Sequence, residues 1–156
     1  MKFKVAEDVD APLGFVYVRL ADFTRLEEEI RGRGAELKRD GNWTQAAAGC
    51  GWKGNVTVRG KPRRIDASIG HMAENDTILV ESKVGGMDCT YEMTFYEMAP
   101  EITRVSTVLE LKPNTLSARL VIQTLKLARG RVLQKMTGSL VRRGNEIEAE
   151  YRAQSS

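Results

Sequence analysis

The feature that most constrains this chain is a change of period. From Ala35 to Leu111 apolar residues recur at every second position, in segments of eight to ten residues separated by turn residues; after Lys112-Pro113-Asn114 the alternation stops. A period of two puts one set of side chains on one face of a strand, so the middle of the chain reads as an antiparallel meander. Trp52, Gly54, Val56 and Val58 form one set, and Gly60-Lys61-Pro62 turns the chain into Ile65, Ala67, Ile69 and His71. Glu74-Asn75-Asp76, Gly85-Gly86 and Ala99-Pro100-Glu101 introduce three further sets, beginning at Ile78, Cys89 and Val105.

The flanks are helical in pattern. Phe3, Val5 and Glu7 alternate with Lys4, Ala6 and Asp8, which suggests a first strand ending before Asp10-Ala11-Pro12. Asp10 suits a helix N-cap with Pro12 near the first turn, and Phe15, Val16, Val18, Leu20 and Phe23 recur closely enough for one buried stripe. A second short helix is expected from about Asp22 to Arg31, ended by Gly32 and Gly34. Residues from about Thr115 to Val141 read as one long helix capped by Asn114 or Thr115, with Gly130 and Gly138 favouring a bend over a clean break.

A length of 156 residues fits one domain, which buries about 70% of its unfolded surface. The expected division is a single unit over residues 1–150 and a tail over 151–156. An apolar fraction of 42% and a charged fraction of 29% exclude disorder and fibrous repeats. Acids follow directly on the N-terminal residues where a secretory leader needs its apolar stretch, so a cytoplasmic location is expected. In that setting the glycosylation-like triplets at Asn42, Asn55 and Asn75 carry no meaning. Cys50, Cys89 and a single histidine supply neither a disulfide framework nor a metal site, and no cofactor is expected. Gly49 to Gly54 lacks the Gly-Lys-Ser/Thr end of a phosphate loop and reads as a turn entering a strand.

The order strand, two helices, about six strands and a long helix resembles the START-related superfamily, the group that includes pollen-allergen-like proteins, polyketide cyclases and coenzyme Q-binding proteins (SRPBCC). The resemblance spans residues 1–150. It rests on Asp10-Ala11-Pro12 at the first helix, Ala21-Asp22-Phe23 between the two helices, and the meander leading into Leu111-Lys112-Pro113. It implies an α+β helix-grip fold, in which a curved antiparallel sheet of about seven strands wraps the last helix. It also implies a cavity for an apolar small molecule such as a lipid, an isoprenoid quinone or a polyketide-like compound. The superfamily holds binders, transporters and enzymes, so the fold fixes no reaction.

Strand phase assigns the inner wall of such a cavity to Trp52, Val56, Ile65, Ile69 and Val80, continued by Tyr91, Met93, Phe95 and Leu109. Ser82, His71 and Thr107 interrupt it with polar groups, the composition of a ligand pocket. From the helix, the stripe containing Leu125, Val132 and Met136 closes the sheet. The leading reading is a non-catalytic binding or transport domain. The alternative is a cyclase or dehydrase acting on an aromatic or polyketide-like ligand, with Tyr91 and His71 as the proton-transfer candidates. A nucleophilic triad is not supported, because one histidine would have to serve every serine.

A third reading comes from charge. Residues 1–111 hold 15 Lys/Arg against 18 Asp/Glu, whereas residues 112–156 hold 9 against 3, and no acid stands between Glu110 and Glu146. Helical spacing sets Leu116, Leu120 and Leu127 nearly opposite the sheet-facing stripe, flanked by Lys112, Arg119, Lys126 and Arg131. Such a ridge fits an anionic membrane, a partner protein or second copy, or burial against the N-terminal helices. Nucleic acid is not expected, since aromatics total only 6% and form no stacking platform.

Overall fold

A computed structural model describes residues 1–58 and 60–155. Strand β1 (Lys2–Val9) is followed by helices α1 (Leu13–Leu20) and α2 (Thr24–Gly32). Six strands come next: β2 (Glu36–Asp40), β3 (Gly51–Val58), β4 (Lys61–Ala73), β5 (Thr77–Val84), β6 (Met87–Ala99) and β7 (Ile102–Pro113). Helices α3 (Leu116–Leu127) and α4 (Arg129–Ser155) close the chain. All seven strands form one antiparallel sheet in the order β1-β7-β6-β5-β4-β3-β2, the α+β helix-grip arrangement anticipated from the sequence.

Register carries the alternation across the sheet. Val80 faces Tyr91, Tyr91 faces Leu109 and Met93 faces Thr107, so the apolar sets of successive strands share one face, on which the helices pack. At the β4–β5 turn Asn75 takes φ 60, a left-handed conformation that asparagine tolerates better than most residues. At Gly54 the neighbouring strand comes so close that a Cβ would overlap the Glu36 carbonyl oxygen.

Three local expectations are corrected. Helix α1 begins at Leu13 with Pro12 in the N-cap position, and no side chain caps it; the Asp10 amide instead donates to Glu148 on α4 at 2.9 Å. The long helix is two helices meeting at Ala128, whose φ of −102 and ψ of 20 leave helical geometry just before the weakly helix-forming Gly130. The Ala128 N–H still donates to Thr124 and the Val132 N–H to Ala128, so the junction is an elbow, whereas Gly138 lies in unbroken helix.

The third correction is the helix end. Helix α4 runs to Ser155, through the residues read as a tail, because Leu140, Gly144, Ile147 and Tyr151 continue one stripe. Gly144 lies against Val9, and Glu150 and Glu146 accept from Arg19 and Arg25 of the N-terminal helices. Thr115 does cap α3, accepting from the Ala118 N–H at 3.1 Å.

Two apolar clusters result. The larger joins α1, α4 and the middle of the sheet around Val16, Ile69, Ile78, Phe95, Val105 and Ile147. The smaller joins α3 to Phe3, Met87 and Leu111 at the other end of β1 and β7.

Candidate ligand cavity

Between the sheet, α2 and α4 lies a cavity of about 990 Å³. Its sheet wall is Trp52, Ile65, Val80, Ser82, Tyr91 and Met93, all placed there by the two-residue period, and α4 contributes Met136. Helix α2 forms the remaining wall with Leu26, Glu27 and Ile30, one helical face continuous with Phe23. Leu37 from β2 and Leu140 from α4 complete the apolar lining. The α2 contribution was absent from the sequence reading, although the spacing Phe23, Leu26, Ile30 is an amphipathic signal.

The other expected wall residues lie elsewhere. Ile69 and Phe95 are buried in the larger cluster beside the cavity. Leu109 of β7, Leu125 of α3 and Val132 in the first turn of α4 pack against the smaller cluster instead. Val56 is half-buried beyond Gly54, towards the β3–β4 turn. Thr107 is buried and hydrogen-bonds the Tyr91 hydroxyl.

His71 is exposed and does not line this cavity. The cause is a bulge: Ile69 pairs with Val80, but His71 pairs with Leu79, so Gly70 is an extra residue in β4. Beyond it the phase inverts, and Met72 rather than His71 packs towards the core. The structure therefore does not bring His71 to Tyr91. Burial pushes the Tyr91 phenol up from its ordinary value, so it stays protonated and can donate a hydrogen bond within the cavity.

The cavity wall also contains a buried acid. Glu27 is only 3% exposed, and its oxygens accept from Arg39 Nη2 at 2.7 Å, Arg39 Nε at 2.8 Å and Trp52 Nε1 at 2.8 Å. The Arg39 guanidinium, helped by Trp52, holds the carboxyl below its usual range despite burial. Arg39 in turn stacks 4.1 Å over the Trp43 ring, whose indole donates to the Gly51 carbonyl at 3.0 Å. This network ties α2 to β2 and β3 and fixes the wall of the cavity.

The mouth lies between α2 and α4, where Arg142 donates to Glu29 at 2.7 Å, with Arg33 and Lys135 on the rim. A second, more open hollow of about 760 Å³ shares Asp22 and Phe23 with the first. Its wall mixes charge and apolar surface through Arg39, Trp43, Glu74 and the loop 44–48. No cluster of His, Cys, Asp and Glu able to hold a metal is present among the described residues.

No protein-family model matches the chain, and no curated protein matches it in sequence. Solved structures do match in fold. Norcoclaurine synthase from Thalictrum flavum, solved in complex with dopamine and hydroxybenzaldehyde, superimposes with TM-score 0.67 at 9% identity, covering 97% of this chain and 87% of its own. The Zhui aromatase/cyclase from Streptomyces sp. R1128 gives TM-score 0.63 at 14% identity over 92% and 94%. A START superfamily protein from Mycobacterium smegmatis gives 0.54 at 12% over 86% and 95%. The resemblance to the START-related superfamily therefore holds at the level of fold.

Proposed function

We propose that this protein binds an apolar small molecule, of the lipid, isoprenoid quinone or polyketide-like class, in the cavity between sheet, α2 and α4. The observation that carries the reading is the cavity itself: about 990 Å³ walled mainly by Trp, Phe, Leu, Ile, Val and Met, with a few fixed polar groups. Glu27 is already satisfied by Arg39 and Trp52, which leaves the hydroxyls of Tyr91, Ser82 and Ser139 to orient a ligand. The fold supports the reading as well, since the Thalictrum flavum relative in fold was solved with small aromatic molecules.

Tyr91 favours a second reading. A protonated, buried phenol in an apolar cavity can polarise a carbonyl or support an enolate, as a cyclase or dehydrase of aromatic or polyketide-like compounds requires. That chemistry would rest on Tyr91 without His71. A binding role needs no proton transfer and is the simpler account of the wall.

Two measurements test this. Organic extraction of freshly purified protein, followed by mass spectrometry, is expected to release an apolar compound. Nile red is expected to bind the extracted protein at one per chain, and Met93→Trp, which fills the cavity, to reduce that binding at least about tenfold while the domain stays folded. Folded protein that takes up no apolar probe would overturn the proposal. Turnover lost in Tyr91→Phe with binding retained would select the cyclase reading.

A further inference from the structure

Helix α3 carries three exposed leucines, two of them the most exposed large apolar side chains among the described residues. Leu116 is 76% exposed, Leu120 60% and Leu127 92%, so none of them packs against the N-terminal helices. At 100° per residue the three lie within about 40° of one another, in a ridge about 16 Å long. Arg119 and Lys126 run along one side of that ridge, and Arg131 follows past the elbow. Arg119, Lys126 and Arg131 have no ion-pair partner among the described residues, whereas Arg142 and Arg143 further along α4 are paired with Glu29 and Glu146.

We propose that this ridge docks on an anionic lipid surface, with the leucines inserted at the headgroup boundary and the three free cations against the lipid charge. No helix of the described residues is long and apolar enough to cross a membrane, so α3 lies on the surface. Charge decides between a bilayer and the other occupants. A second copy meeting this patch about a two-fold axis would set the cations against themselves, with no acid in the patch to pair them. A stable protein interface needs about 800 Å² per partner, far more than a ridge three leucines long provides. A bilayer accepts a narrow ridge and supplies the missing negative charge.

The surface shares no residue with the cavity wall, so docking and ligand binding can fail separately. Lys135, which lines the cavity, follows Leu127 by eight residues on the other side of the elbow.

The test is co-sedimentation with vesicles of phosphatidylcholine alone or mixed with phosphatidylglycerol. Binding is expected only to the mixed vesicles and to weaken with salt, since the screening length is about 8 Å at physiological ionic strength. Arg119→Glu with Lys126→Glu should weaken it at least about tenfold at low salt. Leu120→Ser with Leu127→Ser should weaken it at every salt concentration. All four changes fall on exposed positions, so the thermal midpoint and Nile red uptake in vesicle-free buffer should be unaltered. Absence of binding to mixed vesicles, or equal binding to both vesicle types, overturns the proposal. So does a fall in solution mass caused by the leucine changes without vesicles, which would assign the ridge to a second copy.

Discussion

Trp52 and Glu27, 25 residues apart, are joined across the cavity wall by a 2.8 Å hydrogen bond from the indole N–H to a carboxylate oxygen that also accepts from Arg39. An ionised side chain thus forms part of an otherwise apolar wall, and its charge is neutralised from behind. Glu27→Ala removes one partner of a buried pair and is expected to cost about 3 kcal/mol, the low end for such pairs, because Arg39 is 27% exposed and can recover some hydration. Chemical denaturation measures this; a loss under about 1 kcal/mol would show the network to be dispensable.

The same carboxyl predicts a pH dependence. Its folded pKa is held below the ordinary value, so its stabilising contribution is fully present above the unfolded pKa of about 4.3 and is lost as pH falls through the lower, folded value. Urea midpoints followed from about pH 6 down to about pH 3 should fall more steeply in the wild type than in Glu27→Gln. Parallel curves would contradict this.

His71 and Tyr91 should behave differently. His71→Ala changes an exposed residue outside the cavity, and ligand affinity is expected to stay within about twofold. Tyr91→Phe keeps the ring and removes the hydroxyl, costing about 0.5–1.5 kcal/mol of binding if the ligand accepts its hydrogen bond. Fluorescence titration of both variants makes the comparison.

Gly54→Ala is expected to lower stability by about 3 kcal/mol, since the added methyl meets backbone of β2 rather than a movable side chain. Strand β2 carries Leu37 and Arg39, so ligand affinity should fall with stability. A thermal scan with and without ligand reads both effects.

Much of this architecture is legible in the residues, and the failures have local causes. The alternation from Trp52 to Leu111 places Tyr91, Met93 and Val80 on the correct face because strand pairing preserves phase. It fails at His71 because one extra residue at Gly70 inverts the rest of β4; an isolated glycine inside a strand pattern is the signal for such a bulge. Glu27 reads as a surface acid, and only the approach of Arg39 and Trp52 from distant strands makes it interior. The end of α4 is obscured because Gly144 serves as a contact surface for Val9, a role that hydrophobicity does not register.

The elbow at Ala128 has an energetic consequence. It leaves α3 wholly with the small cluster around Phe3, Met87 and Leu111, while α4 spans both, its first turns packing Val132, Leu133 and Met136 against the small cluster and its later turns placing Leu140 and Ile147 in the large one. Segments anchored in separate clusters open with separate free energies. The amide hydrogens of α3 are therefore expected to exchange with solvent well before those of α4 around Ile147, which sits in the large cluster.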